Sequence, residues 1–549
     1  MPILALLLAL SPAEKSAAAR ITPAEISGHL RFLSDDQLEG RKPGQPGDEL
    51  AIKYLASQLE AMGYQPKGDN GSFLQEVPMV ELHADVPRDV TFKNGDKAVT
   101  LHTGGGDQAD LILEPNAHLA RATVNNAPLV FVGYGITAPE QGWDDYKDLD
   151  VKGKIVVVMN FNPPFKGEGN RLWYGRWPYK YWNASKHGAA GAIVIHTTPS
   201  AGYPWQVLAN SASGTHQDLP PSDADPKDMQ FQGWATEAAS MQLARLGGAD
   251  LDALRKAATE KGFKAQPLSV TLSLSMPVSQ KQIQTANVVG ILPGSDPRLK
   301  DEAVLYTAHH DHLGRIPTAA GVDGIFNGAL DNASGCATVL AIAHAAAAAP
   351  HKRSIIIAFV TAEEQGLLGS EWMARHPPIP IDRIAADINL DSVNRWGKTT
   401  DLGVLGLGKS SVDAIIRQVA SAQGRTVHGD PYPDRGAFYR SDMFSMARVG
   451  VPPVAVLGGP DYAGQPRGWG EAQQINFERK NYHQPSDEYH GDWDLSGDVQ
   501  DAQLQLVVGL RIANAPSMPK WVAGDEFESA RKAAHQATRR SNRSALRTR

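Results

Sequence analysis

A single cysteine, Cys336, stands in a chain of 549 residues. One thiol excludes an internal disulfide framework. Cys336 follows the string Asp331-Asn332-Ala333-Ser334 in an apolar helical pattern, which reads as a small buried thiol rather than a nucleophile. Positive charge is also scarce: 53 Lys and Arg against 60 Asp and Glu leave a net charge of −7. That balance provides no overall basic field for nucleic acid. The N-terminal apolar run, Ile3–Leu10, is too short to span a bilayer, and no other segment reads as transmembrane.

What is present is an ordinary globular composition, 42% apolar and 21% charged. The length predicts two domains plus tails. Ile3–Leu10 followed by small residues is similar to a secretory leader, with a cleavage site near Ala17–Ala19, and so predicts a signal peptide over 1–20. The expected location is then periplasmic or secreted.

Thr22-Pro23-Ala24-Glu25 has the form of a helix start: a capping residue, a proline at the first position and an acid at the third. Ile52, Leu55, Leu59 and Met62 recur at helical spacing until Gly63. Between these helices lies SDDQLEGRKPGQPGD, whose charges read as a solvated loop. Residues 116–284 differ in pattern. APLVFVGYGI, GKIVVVMN and AGAIVIH are short β-branched runs, and they predict a β-rich inserted domain. The aromatic stretch RLWYGRWPYKYWNASKHGAA lies among them and could pack internally or line a substrate cleft. A Pro- and Asp-rich loop, DLPPSDADPKD, follows.

From Thr285 strands alternate with helices. ANVVGILPG, EAVLYTAHHD, SIIIAFVTAEE, IAADINLDSV and VPPVAVLGG are strand-like. Such alternation predicts an α/β domain, with a mostly parallel sheet and helices on both faces, over 21–115 and 285–518. The remainder, 519–549, is basic and Ala/Ser-rich and reads as a disordered tail.

Five residues of metal-ligand type punctuate this domain: His309, Asp331, Glu364, Asp391 and His483. Two histidines with three carboxylates suit two zinc ions bridged by a carboxylate. His309, the Glu363-Glu364 pair and Asp391 each end a strand-like run, where open α/β sheets build their sites. In extended chain Asp311 projects to the same side as His309 and can orient its ring; His310 points away. His312 lies near enough to compete, although His310 and His312 read as bland. Adjacent acids at a strand end face different ways, so one of Glu363 and Glu364 can hold a metal while the other serves as general base. Asp331 is either a bridge or a helix cap. Tyr482, beside His483, is placed to hydrogen-bond a developing oxyanion.

These strings (AHHDHLG, GALDNASG, TAEEQGLLGS, INLDSV and NYHQPSDEY) together resemble the co-catalytic di-zinc aminopeptidases of metallopeptidase clan MH. That clan also holds glutamate carboxypeptidases and glutaminyl cyclases. The resemblance covers Ile21 to about Ala515. It implies two zinc ions per chain, with His309 and Asp391 on one, Glu364 and His483 on the other, and Asp331 as bridge before a cis peptide. It further implies Glu363 as general base, Asp311 as orienter of His309, Tyr482 at the oxyanion, and a peptide substrate. GYGI and VKGKIVVV are similar to the protease-associated domain found inserted in this family. RSDMFSMARVGVP departs from the family string, since Met443 stands where a histidine is usual. An aminopeptidase is the expected activity. A carboxypeptidase would instead need cations around a substrate carboxylate, for which Arg435, Arg440 and Arg467 are candidates. A non-catalytic binding protein on the same fold would be free to lose ligands or base, and none is missing here. Oligomeric state is not legible.

Overall fold

The computed structural model describes residues 10–547 apart from 104–107, 116–118, 164, 166–170, 203, 212–215 and 221–228. The apolar run at Ile3–Leu10, Leu10 apart, and most of the Pro- and Asp-rich loop therefore lie outside the described residues. The chain divides into two compact units, one of residues 1–77, 284–431 and 440–549, the other of 78–283 and 432–439.

The first unit is built on one mixed sheet. Its strands are β1 (Gln266–Leu292, through its C-terminal end), β2 (Ala303–His309), β3 (Ser354–Val360), β4 (Ile384–Asn389), β5 (Asp401–Leu405), β6 (Thr426–Gly429) and β7 (Pro453–Gly458). The spatial order is β1-β3-β2-β4-β7-β5-β6. β3, β2, β4 and β7 run parallel, while β1 is antiparallel to β3 and β5 to β7. The five strand-like runs of this domain are all strands. β5 and β6 are additional and shorter.

β2, β3 and β4 are buried at every position because both faces are covered. Val304, Tyr306 and Ala308 of β2 face one core, with the helices Pro23–Leu33, Ser334–Ala347, Val412–Ala422 and Ser496–Asn514. Ala303 and Leu305 face a second core under the helices Leu368–Arg375 and Met443–Arg448. The alanine-rich Ser334–Ala347 helix is buried nearly all round, and its small side chains let neighbouring helices approach closely. At Gly509 a Cβ would fall 1.9 Å from Tyr306 Oη, whose hydroxyl donates to Gln505 O at 3.1 Å.

Segments near both ends of the described chain pack on this unit. Pro12–Ala18 is a helix with a capping box between Ser11 and Glu14. Ala17 and Ala18 are buried in it, and Arg511 Nε donates to Glu14 Oε1 at 2.8 Å. The stretch read as a cleavage region thus lies in a packed helix. The reading of 519–549 as disordered is corrected for its first half. Trp521 and Phe527 are buried anchors, and Arg531 donates to Ile381 O and Ile384 O, both at 2.9 Å. Helix Glu528–Arg547 follows. Basic composition conceals two aromatic side chains large enough to seat the segment. Among the described residues no helix is long and apolar enough to cross a membrane.

The second unit starts at Pro78, earlier than the boundary read from sequence. The strands Asp89–Asn94 and Leu111–Pro115 explain the shift: they pair with Gln266–Leu292 and with Phe231–Thr236. Its centre is parallel: Arg121–Phe131, Ile155–Met159, Gly191–His196 and Phe231–Thr236 lie side by side. Tyr134, Trp143 and Tyr179 form a buried aromatic cluster inside it. The aromatic stretch is therefore mainly internal packing.

Candidate metal centre

Three neighbouring parallel strands aim their carboxyl ends at one place. β2 ends on His309, β3 runs into Glu363 and Glu364, and β4 into Asp391. Ala362, Ser392 and His483 all take left-handed backbone, with φ of 56°, 60° and 56°. Non-glycine residues in that region are costly and cluster at functional sites. Asp331 enters from the turn before the Ser334–Ala347 helix, and its peptide to Asn332 is cis. Asn332 ties this turn to the Asp391 loop: Nδ2 donates to Leu390 O at 2.9 Å, and Oδ1 accepts from Ser392 N at 3.0 Å. Gly335 is required there, since a Cβ would lie 2.2 Å from Asn332 Oδ1. Asp487 grips the same turn from the His483 loop, accepting from the N–H groups of Leu330 and Asp331 at 3.1 Å each.

The donors form two triads sharing one carboxylate. His309 Nε2 lies 3.2 Å from Asp331 Oδ1 and 3.5 Å from Asp391 Oδ1. His483 Nε2 lies 3.2 Å from Asp331 Oδ2 and 3.1 Å from Glu364 Oε2. Donors of a tetrahedral zinc are separated by about 3.3 Å when each bond is about 2.0–2.1 Å. The ring atoms His309 Nε2 and His483 Nε2 are buried with no hydrogen-bond partner. Both spacing and orphaned nitrogens fit a pair of divalent cations.

His312 belongs to this place too, against the bland reading of it. Its ring nitrogens group with Asp331 and Glu364 as possible ligands, and Nδ1 stands 2.6 Å from Glu364 Oε1. That contact is not aligned as a hydrogen bond. Two histidines thus approach Glu364, and His483 is the one whose Nε2 reaches both Glu364 and Asp331 at ligand spacing. His310 turns away, with Nε2 3.1 Å from Ala286 O and Nδ1 3.5 Å from the buried Asp48. Asp311 works differently from the sequence expectation. Its main-chain oxygen is the partner of His309 Nδ1, at 3.2 Å, with the carboxylate at 3.7 Å. The carboxylate instead accepts from the N–H groups of Glu363 (3.0 Å) and Glu364 (3.3 Å). It shapes the turn that presents both acids.

Electrostatics separate these two neighbours. Burial pushes the Glu363 pKa well up, and the charges of Glu364, Asp391 and Asp442 add to it beyond the counterweight of His309. For Glu364 burial and Asp331 push upward, but His483 and His312 outweigh them and hold it at about 2. Burial works against a charged His483, yet Glu364 and Asp331 raise its pKa to about 10. A field that stabilises imidazolium this strongly also favours a bound cation. Tyr482 stacks on His483, ring centroids 3.9 Å apart. It is 36% exposed. Burial of its phenol and the charges of Asp331, Glu364 and Glu363 nevertheless keep the hydroxyl protonated, against the pull of Arg440.

Supporting residues come from segments that read as loops. Arg41, from the polar loop, is 1% exposed. It donates to four carbonyls: His310 O (2.8 Å), Leu33 O (2.5 Å), Asn327 O (2.6 Å) and Gly328 O (3.0 Å). Asp48 is buried as well, accepting from Gly44 N and Thr285 Oγ1, and burial pushes its pKa up to about 7. Ser441 Oγ donates to Asp391 Oδ2 at 2.8 Å. Met443 is wholly buried in the second core's helix. Of the three candidate cations, Arg440 acts on Tyr482, whereas Arg435 stacks over Tyr432 in the other unit. Arg41→Leu would leave four carbonyls without their donor. Each unsatisfied buried group costs ~1–3 kcal/mol, so a loss of at least about 3 kcal/mol is expected in urea unfolding. A variant within about 0.5 kcal/mol of wild type, the range of an ordinary surface change, would contradict this hub role.

Residues 287–507 match Peptidase family M28, and residues 124–231 match the PA domain. An aminopeptidase from Aneurinibacillus sp. strain AM-1 shares the fold at 20% identity and a TM-score of 0.50, over 92% of this chain and 97% of that one. A zinc aminopeptidase from Bacillus subtilis aligns at 18% identity with a TM-score of 0.41, over 90% of this chain and 97% of that one. A peptidase M28 precursor from Shewanella amazonensis SB2B aligns at 17% identity with a TM-score of 0.41, over 92% and 97%. No match is found among curated proteins.

Proposed function

We propose that this chain, a family M28 metallopeptidase with an inserted PA domain, is an exported aminopeptidase that removes the N-terminal residue of peptides at a pair of zinc ions. The observation that carries the reading is the shared carboxylate: Asp331 offers Oδ1 to His309 and Oδ2 to His483, each at 3.2 Å. His309, Asp331 and Asp391 would hold one zinc; Asp331, Glu364 and His483 would hold the other. Zinc bound there would acidify water and polarise the scissile carbonyl.

The protein's own groups supply the rest. Glu363 takes the proton of the attacking water on its carboxylate and returns it to the nitrogen of the leaving amine. Burial and the neighbouring carboxylates raise its pKa, the direction that suits a group which must both accept and release a proton. The Tyr482 hydroxyl, kept protonated, donates to the carbonyl oxygen as that oxygen becomes negative.

The sign of the field favours an aminopeptidase over a carboxypeptidase. Glu363, Asp391 and Asp442 each interact with the charge of His309, while Arg440 is the cation acting on Tyr482. Arg41 lies near but its donors are committed to backbone carbonyls. Such a site attracts a free α-ammonium group more readily than an α-carboxylate. The Aneurinibacillus protein of the same fold is named an aminopeptidase, in keeping with this. Export rests on the leader-like N-terminus alone.

A panel of aminoacyl amides and N-blocked peptides, run with and without a chelator, tests the reading. Cleavage of free-amine substrates alone, lost on chelation and restored by zinc, is expected. Preference for N-blocked peptides would establish the carboxypeptidase instead. Activity indifferent to chelation, with no zinc in the protein, would remove the metal reading.

A further inference from the structure

The loop carrying His483 is held by a cation that the proposed chemistry does not use. Arg395 lies beyond Asp391 on the loop that leaves β4. Its guanidinium carbon lies 4.9 Å from the ring of Trp396, 4.6 Å from Phe477 and 4.8 Å from Trp493. Phe477 belongs to the helix Trp469–Lys480 that leads into His483, and Trp493 follows it. One guanidinium therefore touches the loop at both of its ends. The main chain adds a contact at the far end, where Asp494 N–H donates to Arg395 O at 3.0 Å.

This contact runs on to the donor atoms. Tyr482 N–H donates to Phe477 O at 3.1 Å, and their rings lie 6.5 Å apart. The Tyr482 ring then stacks on that of His483 at 3.9 Å. Asp487, on the same loop, holds the backbone of Asp331. Arg395 has no carboxylate at ion-pair distance among the described residues, and its Nε is buried without a hydrogen-bond partner. Aromatic faces hold it to the loop through cation–π attraction, and the charges of Asp487 and Asp492 on the same loop act on it as well. Such contacts strengthen when partly withdrawn from water, as here. A guanidinium is a flat plate that can lie against several rings, whereas an ammonium is a point charge.

We infer that Arg395 is a positioning residue: it sets the His483 loop against the Asp391 loop, and so determines how tightly Asp331, Glu364 and His483 hold the second zinc. The inference rests on the two-zinc reading above. Changing it disturbs the second metal site more than the first, because His309 and Asp391 are held by β2, β4 and Asn332, and of the first site's donors only Asp331 is reached from that loop, through Asp487.

The test is zinc binding measured by competition with a chromophoric chelator, on wild type, Arg395→Gln, Arg395→Lys and His483→Ala. Wild type is expected to bind two ions. Arg395→Gln is expected to change the first little and to bind the second about 10–100-fold more weakly, the range for outer residues that orient ligands. Arg395→Lys should fall between them. Adding Arg395→Gln to His483→Ala should cause no further loss, as both act on one ion. Excess zinc should restore turnover in Arg395→Gln. Should Arg395→Gln fail to fold, Arg395→Lys decides. Second-ion affinity within twofold of wild type in the folded variants overturns the inference while leaving the two-zinc reading intact. Equal weakening of both ions also overturns it, since that marks general destabilisation. Fewer than two ions on wild type overturns the reading it rests on, and the inference with it.

Discussion

Glu363→Gln is expected to lower kcat by about 10²–10⁴-fold while both zinc ions stay bound, the range attached to one general acid–base group. Glutamine keeps the size and nearly the shape of the side chain but cannot accept a proton from water. The turn that presents it is unaffected, because Asp311 grips the main-chain N–H groups of residues 363 and 364 and not their side chains. The carboxylate pair is what motivates the assignment. Its members are chemically identical neighbours pushed in opposite directions, Glu363 upward by burial and Glu364 down to about 2 by His483 and His312. Glu364→Gln should accordingly show a different fault, loss of a zinc ion, with turnover partly recovered by added metal. Steady-state kinetics beside metal analysis separates the two. Near-normal turnover of Glu363→Gln with zinc in place would end its role as base.

The site's ligand-type residues are legible in the amino-acid sequence because their signals are local. A histidine closing AVLYTA, an acid pair after SIIIAFV and an aspartate after IAADINL are strand-end placements, and apolar period and strand length alone locate them. Asp331 is ambiguous in sequence between cap and bridge. The reading of it as a bridge rests on distance to two histidines, one of them far along the chain, which spacing cannot supply. The same limit conceals Arg41 and Arg395. Arg41 sits in a string of Asp, Gly and Pro that looks solvated, and only its carbonyl partners around residues 310 and 327 make it a core residue. Arg395 has two of its aromatic partners more than eighty positions further on. His312 reads as bland because a lone histidine is ordinarily a core or surface residue, and the chain leaves the strand at His309, so alternation cannot place it. The tail reads as disordered because average composition outweighs two anchoring aromatics. The boundary at 116 falls late because the early strands of the insert pair with segments more than a hundred residues away.

Asp331 carries the heaviest load in the site, and two replacements should part its two functions. Asp331→Ala removes a donor from each triad at once. What remains is His309 with Asp391 on one side and Glu364 with His483 on the other, two protein donors apiece where three or four are usual for zinc. Both ions should be lost in gel filtration against zinc-free buffer, and activity should fall to the background of the assay. Asp331→Asn is the finer probe. It is isosteric, and Asp487 would still hold the backbone N–H groups of residues 330 and 331. Its carbonyl oxygen can still face one histidine, but its amide nitrogen is a donor of protons and cannot face the other as a ligand. One ion per chain is therefore expected, with turnover depressed but above that of the alanine variant. An asparagine variant that keeps two tightly held ions would mean that the oxygens at 3.2 Å from His309 and from His483 are not both needed. The centre would then be two separate sites that happen to adjoin, and the case for a bridged pair acting on one water would fall with it.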